Sequence, residues 1–373
     1  MWSYKVLSLS LPEAILAFFA PTLIFLMLLA MHIVLPAWRV TGYVRDEASN
    51  ELLKYRLNGL LVFAIAVLVW WFEVGGIPRD WLFRATFYSI AGSSVLAVVL
   101  TAILVAGGST KQSAKKGASV WAGRVLNKSY FEHLDFKMYL YIFGGTVLAL
   151  NALSGVAYHW ELYGFNSNVG LFLYAGMWLF FVTDYFCFER VQLYTYDIIH
   201  ERLGFKLIWG CLTVYPYLYV IPLWGVTHFP SPEFKGSIAI LTYGGPILLF
   251  LFGWTLSRGS NLQKYTFKRW PERKFLGVME PEAIASANRL ILCSGFWGVS
   301  RHVNYLGEFL IALAMALVLG HFLSFWVWIY PIFIVGLFVH RQRTDDVFCA
   351  EKYGVAWDEY CKRTPYRIIP GIY

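Results

Sequence analysis

Apolar positions in this chain come in long blocks rather than in alternation. Nearly uninterrupted apolar stretches cover about 11–33, 57–72, 85–106, 138–160, 169–188, 206–224, 237–256, 303–320 and 322–340. Roughly 20 such residues carry a helix across a bilayer, so the pattern predicts an all-α, polytopic bundle spanning a membrane. The first stretch is too apolar for a signal peptide and lacks a small-residue cleavage site. Between Ser286 and Gly320 an apolar run, the polar block SRHVNY and a second apolar run share too few residues for two crossings at ~1.5 Å per residue. The first run therefore reads as a short or broken helix. Irregular backbone at membrane depth is tolerated where it is buried in protein or lines a cavity, and a cavity is expected there. The segment GGSTKQSAKKGA at 107–118 reads as a flexible loop.

Composition strengthens this reading. The chain has 373 residues, of which 58% are hydrophobic, 19% aromatic and 14% charged, against about a quarter charged in soluble domains. One membrane domain over 1–373 is expected, with no sizeable water-soluble module. The net charge of +8 is spread in a way that does not suggest nucleic acid. Cations crowd alternate loops: Arg39, Arg45, Lys54 and Arg56; Lys111, Lys115, Lys116, Arg124, Lys128 and Lys137; Arg258, Lys264, Lys268, Arg269, Arg273 and Lys274. The loops near 73–84, 161–168 and 225–236 hold few, a positive-inside pattern that puts the basic loops in the cytosol. The five cysteines, Cys187, Cys211, Cys293, Cys349 and Cys361, contain no CxxC pair, so neither a disulfide framework nor a zinc site is expected.

Candidate chemistry lies in the last third. Lys264 and Lys268 stand one helical turn apart, and as point charges on one helix face they suit a phosphate. The block WGVSRHVNYLGE sets Arg301, His302, Asn304 and Glu308 among Leu, Ala, Phe and Trp, where an ionisable residue costs about 2.5–3.5 kcal/mol on insertion scales. The tail from His340 to Tyr373 mixes Asp345 and Asp346 with cations and aromatics, the side chains a nucleotide calls for. No G-x-G-x-x-G and no Walker loop is present, so a dinucleotide site would have to be built from helix ends and loops.

These blocks resemble the sterol reductase family, which includes the sterol Δ14-, Δ7- and C24(28)-reductases and the membrane domain of the lamin B receptor. NLQKYTFK is similar to the family's N-x-Q-K-x-x-F-R, and LLCSGFWGVSRHVNYLGE to its L-x-x-S-G-W-W-G-x-x-R-H-x-N-Y-x-G-D. The tail DDVFCAEKYGVAWDEYCKRTPYRIIPGIY also matches, and DYFCFERVQLYTYDIIHERLGF and PYLY match more weakly. The resemblance implies about ten membrane helices and a C-terminal cofactor-binding half, 238–373. It implies NADPH contacts at Lys264, Lys268, Leu292, Trp297, Asn304, Tyr305, Asp345, Cys349, Ala350, Glu351, Lys352, Tyr353 and Tyr360, and a sterol drawn from the membrane lipids. RHVNYLGE is nearest to the Δ14-reductase form. Lys268 stands for the usual Arg, Phe296 for the first Trp, Glu308 for Asp, and Cys211 where many relatives carry Asp.

An isolated alkene is a poor hydride acceptor, so an acid must protonate it first. Burial can keep a carboxyl protonated near neutral pH. Asp184, deep in an apolar run, best meets the burial test, Tyr219 stays protonated without a shift, and Glu189 comes third. Asp197 and His200, a turn apart, are read as facing a common cavity. Two other readings stay open. One is a membrane methyltransferase of the isoprenylcysteine carboxyl type, although Val303 and Asn304 follow His302 where that family has Pro and Tyr-containing spacing. The other is a catalytically inactive sterol-binding protein. The bundle would lie in the endoplasmic reticulum of a eukaryote or the inner membrane of a bacterium.

Overall fold

The computed structural model describes residues 9–46, 49–106, 119–123, 133–286 and 289–373, and the loop 107–118 lies outside them. The described chain is mostly helical, and its strands form two small antiparallel hairpins, as the apolar blocks predict: in lipid a segment must bond its own N–H and C=O groups. Among the described residues seven helices are long and apolar enough to cross a membrane. Gly59–Trp71 and Val303–Val318 are shorter. Their 13 and 16 residues reach about 20 and 24 Å, less than the ~30 Å hydrocarbon core. With these two the apolar helices number nine among the described residues, against the about ten expected.

The residues cluster into two compact units, Met1–Ser231 and Pro232–Tyr373. The first runs through α1 (Leu11–Val34), the hairpin β1 (Trp38–Arg45) and β2 (Leu52–Leu57), α2 (Gly59–Trp71), α3 (Trp81–Arg84), α4 (Thr86–Ala106) and α5 (Phe136–Tyr163). It continues through α6 (Val169–Cys187), α7 (Glu189–Gln192), α8 (Tyr196–Ile199), α9 (Phe205–Trp209) and α10 (Pro222–Val226). Helix α5 forms the centre of this unit: nearly all of it is buried, Asp135 caps its start by accepting from the Met138 N–H at 2.9 Å, and Tyr139, Phe143 and Leu148 are fully enclosed.

Between α9 and α10, residues Gly210–Leu218 form a π-helix with Pro216 inside it. Proline has no N–H to give an α-helical ladder and its ring crowds the preceding turn, so this span cannot run as one regular helix. The Asn151 amide donates to the Pro216 carbonyl at 2.8 Å. A Cβ at Gly144 would stand 2.7 Å from the Cys211 carbonyl oxygen, so only glycine lets α5 lie directly on the π-helix.

The second unit runs through α11 (Gly236–Arg269), the hairpin β3 (Ala283–Ser286) and β4 (Arg289–Leu292), α12 (Phe296–Val299), α13 (Val303–Val318), α14 (Phe325–Tyr353) and α15 (Val355–Arg363). Helices α11 and α14 have 34 and 29 residues, about 51 and 44 Å at 1.5 Å each, and so overrun the hydrocarbon core. The overrun at their C-terminal ends carries Lys264 and Lys268 on α11 and the stretch from Asp345 to Tyr353 on α14. Helix α13 packs antiparallel to both. Gly253 of α11 faces Gly307 of α13 so closely that a Cβ on Gly307 would meet the Gly253 oxygen at 2.5 Å and the Ser257 nitrogen at 2.6 Å.

Candidate functional site

In the second unit the sequence-predicted residues converge on one end of three helices. Lys264 and Lys268 follow each other by one turn on α11, both half-buried, as the spacing predicts. The Lys264 ammonium lies 4.9 Å from the centroid of the Trp297 ring. Trp297 is fixed from two sides: its indole N–H donates to the Ser260 carbonyl at 3.0 Å, and the Tyr360 hydroxyl donates to its own carbonyl at 2.8 Å. Phe267, Leu292 and Trp297 form one buried cluster. Gln263 ties α11 to the turn before α12, accepting from the Phe296 N–H at 3.0 Å and donating to the Ser294 carbonyl at 3.2 Å.

The break between α12 and α13 is buried in protein, the first of the two circumstances that tolerate it. The C-terminal tail supplies the missing partners: the Arg301 N–H donates to the Tyr366 carbonyl at 3.0 Å and the His302 N–H to the Arg367 carbonyl at 2.8 Å. Arg301 also reaches Asp346 at 3.4 Å, which Arg367 meets from the tail at 3.4 Å and Gln342 at 2.5 Å. Asp346 is thereby committed to this knot.

Asp345 is placed differently. The Tyr305 hydroxyl donates to its Oδ2 at 2.6 Å, while its Oδ1 is buried with no hydrogen-bond partner. Asn304 Oδ1 is buried and likewise lacks one. Tyr305 is sandwiched between His302, 4.9 Å away at 7°, and Phe338, 4.5 Å away at 28°. Cys349, Lys352 and Tyr353 are half-buried, with Cys349 and Tyr353 packed beside Tyr360 and the β3–β4 hairpin. Ala350 and Glu351 are exposed.

The charges sum to an anion site. Lys264, Lys268 and Lys352 are close enough to repel one another, and Asp345 and Cys349 lie in the field of Lys264. Three mutually repelling ammonium groups beside buried acceptors that lack donors fit a dinucleotide. Its phosphates would meet the cations, and its hydroxyl and amide N–H groups would meet Asp345 Oδ1 and Asn304 Oδ1.

In the first unit the order of burial among the candidate acids is the reverse of that expected. Glu189 is buried and Asp184 half-buried. Glu189 accepts from the Gly59 N–H at 3.1 Å, at the start of α2, and burial pushes its carboxyl up to about 8 against that bond's opposing pull. Asp184 sits near the C-terminal end of α6, where its carbonyl accepts from the Phe188 N–H. Tyr219 follows directly after the π-helix, its ring edge-on to Tyr215 at 5.2 Å and 6.2 Å from Trp178 of α6. Helix α8 ends before His200, whose ring lies 5.4 Å from that of Tyr196. A single shared helix face for Asp197 and His200 is therefore replaced by a one-turn helix and its cap.

The raised Glu189 carboxyl has a consequence for stability. A group whose folded pKa lies above its unfolded value contributes stability that is complete below the unfolded value and is lost as pH rises through the folded one. Thermal stability should therefore fall between about pH 4.5 and 8 by a component that Glu189→Gln removes. Melting curves of both proteins across that window check this; parallel curves would reject it.

A model of the ergosterol biosynthesis ERG4/ERG24 family matches residues 4–373. The chain belongs to this family. It is similar to a Δ14-sterol reductase of Arabidopsis thaliana, 30% identical over 91% of each chain. One from Methylotuvimicrobium alcaliphilum is 31% identical over 92% of this chain and 80% of its own. The mouse Δ14-sterol reductase TM7SF2 is 32% identical over 91% and 81%. The sterol reductase resemblance drawn from NLQKYTFK and RHVNYLGE is borne out.

Two features of this ERG4/ERG24 chain were missed in the sequence. Lys137 is almost wholly buried, and its ammonium donates to the carbonyls of Asp197, Ile198 and Glu201 at 2.9, 3.2 and 2.5 Å, tying down the segment after α7. The π-helix before Tyr219 is the other. Its signal was Pro216 inside an apolar span, since π-helical turns are rare and concentrate at functional sites.

Proposed function

We propose that this chain reduces a carbon–carbon double bond of a sterol with NADPH, the Δ14 bond being the preferred substrate. The observation that carries the cofactor is the cluster of Lys264, Lys268 and Lys352 beside the donor-less atoms Asp345 Oδ1 and Asn304 Oδ1. The names of the similar proteins support the substrate. Lys264 and Lys268 hold phosphates, Trp297 and Tyr353 offer aromatic faces, and Leu292 and Tyr360 keep Trp297 in place. Cys349, Ala350, Glu351 and Lys352 complete the contact set on α14. Asn304, Tyr305 and Asp345 orient the reacting end. NADPH, when bound, supplies the hydride.

Tyr219, Asp184 and Glu189 are the proton donors proposed; burial keeps the proton on Glu189 near neutral pH. The sterol enters from the bilayer, and the basic loops put the cofactor end in the cytosol, at the endoplasmic reticulum in a eukaryote or the inner membrane in a bacterium. Calorimetry with NADPH and, separately, S-adenosylmethionine tests this reading. Binding of NADPH alone is the expected result. Binding of S-adenosylmethionine alone would make the protein a methyltransferase, and binding of neither would leave a sterol-binding protein.

A further inference from the structure

Glu308 is the one charged residue of α13, VNYLGEFLIALAMALV. A carboxyl in such a helix is costly to insert and by default marks function. It follows Asn304 by four residues, so the two share a helix face, with Glu308 one turn further into the membrane. The Gly253–Gly307 approach brings α11 against it, and the Ser257 hydroxyl donates to Glu308 Oε1 at 2.6 Å. That bond pins the carboxyl of α13 against α11. The fold therefore holds a carboxyl group at a fixed place, one turn below a residue proposed to orient the reacting end.

We propose that Glu308 is the electrostatic partner of the positive charge that passes through the reaction. This rests on the NADPH-reductase reading above. The alkene π pair forms the new C–H bond to the donor's proton, which leaves a cation on the neighbouring carbon. With NADPH bound, that carbon would take the hydride with its electron pair, which would leave the positive charge on the nicotinamide. A fixed carboxylate beside this path stabilises the charge at every stage and needs no reorganisation as it forms. In this role Glu308 acts as a carboxylate and is separate from the proton donor.

Three variants separate this role from a structural pin. Glu308→Gln keeps an acceptor for Ser257 and removes the charge. Glu308→Asp keeps the charge, and Ser257→Ala removes the bond alone. Affinities for NADPH and NADP+ are measured for each in the absence of sterol, followed by turnover. Glu308→Gln should weaken NADP+ relative to NADPH about fivefold and lower turnover roughly tenfold. Glu308→Asp should restore most of both, and Ser257→Ala should leave the affinity ratio within about twofold of the parent. An unchanged ratio in Glu308→Gln, or an equal change in Ser257→Ala, overturns the proposal. If the parent protein binds neither nucleotide, the reductase reading itself fails, which is a different result.

Discussion

Removing the proton donor should abolish most turnover while leaving cofactor binding intact. Tyr219→Phe or Asp184→Asn is expected to lower sterol reduction by about 10²–10⁴-fold, the usual contribution of a positioned general acid, with NADPH affinity changed less than about threefold. Neither side chain is among the proposed cofactor contacts, so the effects should separate. Tyr219 has the added mark of its position: it follows a π-helix that Pro216 imposes and that Gly144 and Asn151 are built to receive. Glu189→Gln is the third variant of the set, because the Glu189 carboxyl is buried and raised to about 8. Single-turnover measurements with sterol product read by mass spectrometry check all three. Normal rates in every one would move the donor elsewhere, with His302 or a bound water next.

The second large effect concerns affinity. Lys264→Ala should weaken NADPH binding by about 1.5–3 kcal/mol, the range for a hydrogen bond to a charged group, or roughly 10- to 150-fold in Kd. Lys264 stands over Trp297 and within the repulsive field of Lys268, so an anion bound there relieves a repulsion as well as gaining a contact. Calorimetric titration of the variant with NADPH measures this directly. An unchanged Kd would remove Lys264 from the site.

Much of this architecture was legible in the sequence, because the bilayer simplifies the code. Each apolar block became a single helix except 206–224, which Pro216 divides into α9, the π-helix and α10, and the positions of Lys264 and Lys268 on one face followed from a spacing of four once α11 was known to be helical. The interrupted helix near Ser300–His302 was also readable, since the residues there were too few for two crossings. What covers that break was not: the backbone bonds from Arg301 and His302 go to Tyr366 and Arg367, a pairing over a long separation that no local pattern encodes. The ranking of acids failed for a related reason. Asp184 sits in a more apolar run than Glu189, yet burial is decided by neighbours in space, and the Gly59 N–H that meets Glu189 comes from the other end of the unit. Lys137 was read as one more loop cation, though its ammonium is enclosed by three carbonyls.

The central claim is that this ERG4/ERG24 chain moves a hydride from NADPH to a sterol alkene, and isotope transfer tests it most directly. Purified protein is given a Δ14-unsaturated sterol and NADPH deuterated at the transferable position of the nicotinamide, and the sterol is analysed by mass spectrometry. The account predicts a reduced sterol carrying one deuterium, formed in equal amount with NADP+, and loss of that product in Tyr219→Phe or Asp184→Asn. A sterol recovered unreduced under conditions where NADPH binds, or a reduced sterol free of deuterium, would contradict it.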